Sequence, residues 1–157
     1  LDDGQLVGDN TDVYGFLAEE AGMHIDLQVD DELMLEADPA RMRQVVGNLL
    51  DNAVKYGRRG TTIALAAQRI APSRRRPAAI EIRVRNAGEG VSEEIRERIW
   101  QRLYRGPQVG TTDGVGLGLT LVRAIVEAHG GWVELDSEPG EYAAFRVYLP
   151  SSTGARV

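Results

Sequence analysis

Three polar side chains share one face of the helix predicted by the stretch GNLLDNAVKYG, residues 47–57. Asn48, Asn52 and Lys55 are separated by four and then three positions, so they point to one side, beside the apolar stripe of the helix. An amide oxygen is a hard, neutral ligand that suits Mg²⁺, and an ammonium group suits a phosphate. On spacing alone, the simpler interpretation, a solvated helix face, is favoured.

A second motif, DGVGLGL at residues 113–119, places three alternating glycines directly before another predicted helix. Glycine allows positive φ and lets the backbone approach a ligand closely. Successive N–H groups at a helix N-terminus bind anions. The spacing matches neither the dinucleotide pattern G-x-G-x-x-G nor a P-loop. By itself the motif is also compatible with a hinge.

A third motif, RNAGEGV at residues 85–91, follows a predicted strand. Gly88 and Gly90 would leave room for an adenine ring, and Asn86 could hydrogen-bond to the edge of that ring. A simple turn is the alternative, because Asn and Gly favour turns in any case.

The first half of the chain contains the elements that position the helix-face motif. Apolar spacing predicts a helix over residues 5–21 that stops at Gly22, followed by a strand at residues 23–29. In that strand Met23, Ile25, Leu27 and Val29 should share the buried face. The next helix should be capped by Asp38, carry Pro39 in its first turn and end at a left-handed Gly57. Its core stripe should consist of Met42, Val45, Val46, Leu49, Leu50 and Ala53.

The second half alternates strands and helices around a long connection. Two strands centred on residues 63–67 and 80–84 should flank the loop APSRRRP, and Ser92 should cap a short helix over residues 92–104. A helix from the second glycine motif to Gly130 and two final strands, joined by a turn at Pro139 and Gly140, complete the pattern. Three helices and roughly six strands predict a two-layer α/β sandwich with the helices on one face of the sheet.

Composition excludes several functional classes. A net charge of −6 argues against general nucleic-acid binding, and no apolar run reaches the roughly 18 residues of a membrane span. Cysteine is absent and there are only two histidines, so a zinc or thiolate metal site is not expected. A hard cation held by oxygen ligands is compatible with the composition.

Taken together and in this order, the motifs resemble those of the ATP-binding domain of sensor histidine kinases, in the family that also contains gyrase, Hsp90 and MutL. The N box is NLLDNAVKY, the first glycine box NAGEG, the aromatic box IWQRLYRG and the second glycine box GVGLGL. The resemblance covers residues from about 5 to 150 and implies the Bergerat fold, a two-layer α/β sandwich with a mixed, mostly antiparallel sheet. It implies one domain over residues 1–150, an ATP lid over about 91–113 and a loose tail at 151–157.

The resemblance also assigns roles to individual residues. It implies that Asn52 ligates the Mg²⁺ that bridges the ATP phosphates, that Lys55 neutralises phosphate charge and that Tyr56 packs on the adenine. Arg102 or Arg105 could reach the γ-phosphate, although a surface role fits equally well. Ile99, Trp100 and Leu103 should anchor the lid by apolar packing. The expected catalytic residues are Asn48, Lys55 and Arg105, and the expected nucleotide-binding residues are Asn48, Asn52, Lys55, Tyr56, Asn86, Gly88, Gly90, Val91, Tyr104, Gly114, Val115, Gly116, Leu117, Gly118 and Leu119.

The implied function is transfer of the γ-phosphate of ATP to a histidine on a separate dimerisation domain of the same kinase, with a response regulator downstream. Neither His24 nor His129 has the sequence setting of a phosphoacceptor, so none is expected in this chain. The cofactors would be ATP and Mg²⁺. By family analogy the domain would be cytoplasmic, in an inner-membrane sensor kinase, without direct contact with membrane or nucleic acid.

Two parts of the sequence bear on the alternatives: position 48, which separates the branches of the family, and a departure from the family pattern at residues 86–87. The ATP-hydrolysing relatives have a glutamate where this chain has Asn48, and an amide is no general base, so kinase chemistry is favoured over ATPase chemistry. The family usually has Asp-Asn where this chain has Asn86 and Ala87. That change leaves open a degenerate nucleotide-binding module that only regulates.

Overall fold

The computed structural model describes residues 14–29, 38–96, 98–100 and 118–150. Within them a short helix, α1, covers residues 14–20. The other elements are β1 (His24–Val29), α2 (Pro39–Tyr56), β2 (Thr62–Ile70), β3 (Ala79–Ala87), a 3₁₀ turn (Arg98–Trp100), α3 (Gly118–Ala128), β4 (Trp132–Glu138) and β5 (Tyr142–Pro150).

The strands form a single sheet in the order β1-β2-β3-β5-β4. β1 pairs with β2 in parallel, and the other three pairs are antiparallel. Helices α2 and α3 pack on each other; α2 also covers β3, while α3 covers β4 and β5. The predicted two-layer α/β sandwich with a mixed, mostly antiparallel sheet is therefore confirmed, with five strands in the described part of the chain where the sequence indicated about six.

Helix α2 forms where the sequence predicts it. Asp38 Oδ1 accepts hydrogen bonds from the N–H groups of Ala40, at 2.9 Å, and Arg41, at 3.4 Å. Such an N-cap stabilises a helix by about 1 kcal/mol. The predicted core stripe of α2 is buried throughout. It meets the buried sides of β2 and β3, which carry Ile63, Leu65, Ala67, Ile80, Ile82 and Val84.

The end of α2 differs from the prediction. Gly57 has φ −72° and ψ 153°, which is extended and not left-handed. It forms an isolated antiparallel bridge with Gly88, and its N–H donates to Ala53 O at 2.8 Å. A Cβ at this position would lie 2.6 Å from both Ala53 O and Met23 Sδ. The glycine is therefore required by close packing, and not by its backbone angles.

The predicted helix over residues 92–104 is wrong within the described residues. Residues 93–96 form turns, and only Arg98–Trp100 are helical, as a single 3₁₀ turn. Trp100 is buried edge-on against Phe145, with ring centroids 5.4 Å apart, and its carbonyl accepts a hydrogen bond from Thr120 Oγ1 at 3.0 Å. That carbonyl is thus bonded to α3. Burial of Trp100 and the packing of half-buried Ile99 confirm part of the predicted apolar anchor.

One face assignment was also wrong in part. Leu27 was expected on the buried face of β1 but is 43% exposed. Ile25 and Val29 pack against the core only as half-buried residues. The reason is that β1 is at the edge of the sheet and pairs only with β2 among the described strands.

The remaining boundaries agree with the sequence where they are described. Gly22, Gly130 and Gly140 have φ between 77° and 81°, as their predicted positions at helix ends and in the last turn require. Residues 71–78 form the β2–β3 loop. Predictions for residues 5–13, 101–117 and the tail at 151–157 lie outside the described residues. Among the helices that are described, none is long and apolar enough to cross a membrane.

Candidate functional site

The three polar residues on one face of α2 differ in their hydrogen bonds and ion pairs. Asn48 Nδ2 donates to Gly118 O at 3.3 Å, and Lys55 Nζ forms an ion pair with Asp51 Oδ2 at 3.1 Å. Asn52 is half-buried, and within the described ranges its amide has no hydrogen-bond partner. An uncommitted amide beside a lysine is compatible with a ligand-binding face. Its oxygen can coordinate a hard cation without breaking an existing contact.

Asn48 ties α2 to the first residue of α3. A Cβ built on Gly118 would lie 4.0 Å from Asn48 Cβ, so the two helices approach closely at this point. The following residue, Leu119, is buried in the core. The start of α3 is therefore fixed beside the polar face of α2. Its first N–H groups have no acceptor within the helix. Of the second glycine box, Gly114, Val115, Gly116 and Leu117 lie outside the described residues.

Asn86 is at the end of β3, on the side of the sheet that faces the helices. It is only 3% exposed and alternates with Ile82 and Val84, which belong to the core. Asn86 Nδ2 donates to the carbonyl of Ala87 at 3.2 Å. A Cβ on Gly88 would lie 2.7 Å from Tyr56 O and 3.4 Å from Asn86 Nδ2. Gly88 thus lets the first glycine box approach the end of α2, which carries Tyr56.

Gly90 and Val91 have structural contacts of their own. Gly90 has φ +69°, and a Cβ there would lie 2.6 Å from Glu138 O and 2.8 Å from Tyr142 O. Val91 is buried, and its N–H donates to Ser137 Oγ at 2.6 Å. These contacts with the β4–β5 hairpin are sufficient to explain both residue types. Contact of either residue with a nucleotide stays a prediction.

Tyr14 lies near the polar face of α2, as the effect of two charged residues of that helix on its pKa indicates. Burial raises the pKa of the Tyr14 hydroxyl, the negative charge of Asp51 raises it further and the positive charge of Lys55 lowers it. Tyr14 in α1 is therefore close enough to sense the Asp51–Lys55 pair. Asp51 could have been found from its i,i+4 spacing to Lys55. No pattern in the sequence indicates Tyr14.

Several predicted residues are separate from this site or outside the described chain. His24 is exposed on the edge strand β1. His129 follows α3, and its Nδ1 lies 2.8 Å from Ile125 O, as expected for a histidine that interacts with helix-end carbonyls. Residues 101–113, with Arg102, Leu103, Tyr104 and Arg105, are not among the described residues.

Comparison with known proteins agrees with this geometry. Residues 37–153 match the family model described as Histidine kinase-, DNA gyrase B-, and HSP90-like ATPase. Adaptive-response sensory kinase SasA from Nostoc sp. is 33% identical over 147 residues, covering 93% of this chain and 34% of the relative. The crystal structure of full-length ShkA in complex with AMPPNP has a TM-score of 0.82 and 30% identity, covering 96% of this chain and 30% of that one. The mycobacterial sensor histidine kinase MprB has the same fold, with a TM-score of 0.83 at 22% identity over 96% of this chain and 97% of that one.

The fold and the family match define a nucleotide-binding domain, and this chain belongs to the family of histidine kinase-, DNA gyrase B- and HSP90-like ATPases. Within that family it is an ATP-binding catalytic domain of the sensor histidine kinase type. The chain spans about a third of the length of the curated relatives it matches.

Proposed function

We propose that this chain binds ATP together with Mg²⁺ and transfers the γ-phosphate to a histidine on a separate dimerisation domain of the same kinase. The observation that best supports the proposal is that the three polar residues on one face of α2 have different contacts. Asn48 holds the start of α3, Asn52 is uncommitted, and Lys55 presents a cation on the same face.

In phosphoryl transfer the protein mainly positions groups and neutralises charge. Asn52 would be a ligand of Mg²⁺, which when bound supplies positive charge to the phosphates. Lys55 would bind phosphate oxygens after leaving Asp51. The N–H groups at the start of α3, held beside α2 through Asn48, would bind phosphate oxygens as well. Tyr56, Asn86 and Gly88 would surround the base.

The kinase assignment is favoured over ATP hydrolysis by the chemistry of Asn48. A carboxamide cannot accept a proton from water near neutral pH, so it cannot serve as a general base. Its Nδ2 is also committed to Gly118 O, which gives the side chain a positioning role. Among the described residues on this face of α2, only Asp51 has a carboxylate, and it is paired with Lys55.

The acceptor and the downstream partner are proposed from the relatives. The first relatives are sensor kinases about three times longer than the matched segment, so the dimerisation domain with the acceptor histidine would lie outside this chain. A response regulator would receive the phosphoryl group next. The complete protein is proposed to be an inner-membrane sensor kinase with this domain in the cytoplasm.

A titration with a fluorescent ATP analogue, with Mg²⁺ and with EDTA, tests the site. Asn52→Ala should weaken binding mainly when Mg²⁺ is present, because a metal ligand is lost. Lys55→Ala should weaken binding in both conditions, because a phosphate contact is lost. Arg123→Ala removes a similarly paired cation from α3 and is the matched control, which should leave binding unchanged. Equal losses for the Asn52 and Lys55 variants in EDTA would contradict the assigned roles.

The reaction itself is tested by incubation with Mg-ATP. The chain alone should not phosphorylate itself and should hydrolyse ATP very slowly. Addition of the kinase's own dimerisation domain should produce acid-labile phosphate on that domain. Stoichiometric phosphate on His24 or His129 would contradict the proposal.

A regulatory module that binds nucleotide without transferring phosphate is the second candidate. Two observations favour it: Asn86 and Ala87 replace the usual Asp-Asn pair, and Asn86 Nδ2 donates a hydrogen bond to the carbonyl of Ala87. ATP binding without any transfer to the dimerisation domain would select this candidate.

A further inference from the structure

The end of the β4–β5 hairpin, residues 137–142, contacts residues 88–90 of the first glycine box. Gly88 N donates to Glu141 O at 3.1 Å, and Gly140 N donates to Glu89 O at 2.6 Å. The box therefore rests on the hairpin through backbone hydrogen bonds in both directions. These contacts join residues about fifty positions apart in the sequence.

Two arginines extend this connection to neighbouring segments. Arg58, two residues after the end of α2, donates from Nη2 to Gly140 O at 3.2 Å. Arg96, in the turns that follow the glycine box, donates from Nη2 to Ser137 O. The hairpin end thus contacts the chain after the N box, the first glycine box and the start of the segment proposed as the ATP lid.

Ser137 is the side chain at the centre of these contacts. It is 7% exposed, accepts a hydrogen bond from Val91 N at 2.6 Å and donates one to Tyr142 O at 2.9 Å. A hydroxyl can accept and donate at once, which an alanine cannot replace. Gly90, one residue before Val91, is packed so tightly that a Cβ would lie 2.9 Å from Ser137 Oγ. Loss of the hydroxyl would leave the buried N–H of Val91, the residue after the glycine box, without its partner.

We infer that Ser137 is a positioning residue for the nucleotide site. Its hydroxyl fixes the backbone of residues 88–91 against the hairpin and so fixes the start of the lid segment. Ser137 would not contact the nucleotide, and its effect on the site would pass through its hydrogen bond with Val91. The inference rests on the proposed function, because positioning of this loop matters for binding only if the loop contacts ATP.

The test compares the 157-residue chain with Ser137→Ala, measuring MgATP affinity by titration and exchange of the Val91 amide by NMR without nucleotide. We expect Ser137→Ala to weaken MgATP binding by about threefold to tenfold and to speed exchange of the Val91 amide by a similar factor. Val133→Ala, on the same strand but packed against the core, is the control for a general loss of stability. It should lower the melting temperature and leave both readouts at the wild-type values.

Ser137→Cys replaces the hydroxyl with a somewhat larger thiol that forms weaker hydrogen bonds, and provides the same comparison if Ser137→Ala does not fold. An affinity and a Val91 exchange rate equal to those of Val133→Ala, in a wild-type chain that does bind MgATP, would overturn the inference alone. Absence of MgATP binding by the wild-type chain would overturn the inference together with the proposed function.

Discussion

Asp51 holds the ammonium group that is proposed to bind phosphate, so its removal should strengthen ATP binding. Lys55 Nζ and Asp51 Oδ2 are 3.1 Å apart, and the two side chains are 33% and 46% exposed. In the free domain Lys55 is paired with Asp51, and it must give up this pair to bind a phosphate. The carboxylate would also repel the phosphate.

The size of the effect follows from the solvation of this pair. Exposed i,i+4 pairs on a helix contribute about 0.3–0.5 kcal/mol. With the lost repulsion added, Asp51→Asn should favour ATP binding by about 0.4–1 kcal/mol, a twofold to fivefold lower Kd. The gain should shrink at high salt, because exposed charges are screened. The free energy of unfolding should fall only slightly.

The assay is a titration with a fluorescent ATP analogue at low and high salt, with Glu127→Gln as the matched control. Arg123 and Glu127 form an i,i+4 pair on α3 at 3.2 Å with similar exposure, so the control makes the same change in net charge away from the site. A Kd that rises in Asp51→Asn, or that falls no further than in Glu127→Gln, would refute the competition between carboxylate and phosphate.

Two other side chains give predictions of a different kind. Burial raises the pKa of the Tyr148 hydroxyl, and the hydrogen bond that this hydroxyl donates to Glu81 at 2.7 Å raises the pKa further. The folded state therefore holds the proton more tightly than the unfolded state. The free energy of unfolding should therefore decline as pH rises above about 10, and urea titrations should show a smaller decline in Tyr148→Phe; equal slopes would contradict the raised pKa. Asn86 offers both a donor and an acceptor, so Asn86→Asp should prefer ATP over GTP more strongly than the parent does. An equal preference in the two proteins would contradict this role of Asn86 and would mean that other contacts set the choice of base.

The sequence alone determined the features that depend on local pattern. The apolar stripe of α2, its Asp38 cap and the alternation in β2 and β3 follow from helix and strand periodicity, and the structure confirms them. The order of the three motifs was enough to indicate the family, and the family match confirms it. The spacing of Asn48, Asn52 and Lys55 placed them correctly on one face of the helix.

Tertiary structure decided what each of these residues contacts. The sequence predicts a left-handed helix stop at Gly57, but this residue is extended because Gly88 and Met23 approach it from distant parts of the chain. The helix predicted over residues 92–104 is replaced by turns and a single 3₁₀ turn in its described part, because Trp100 is buried against β5 and its carbonyl accepts a hydrogen bond from α3. Local propensity contains no information about these partners.

The difference between local spacing and tertiary contacts also explains why some site residues could be predicted from the sequence and others could not. Asn52 could be selected from the sequence because its spacing to Lys55 is a property of one helix. Ser137 could not, because its contact with Val91 joins positions 46 residues apart and exists only after the hairpin has packed on the glycine box. Which residues of one helix or strand share a face is fixed by the geometry of that element. The partners of Ser137 and Gly90 are fixed by the order of the strands in the sheet.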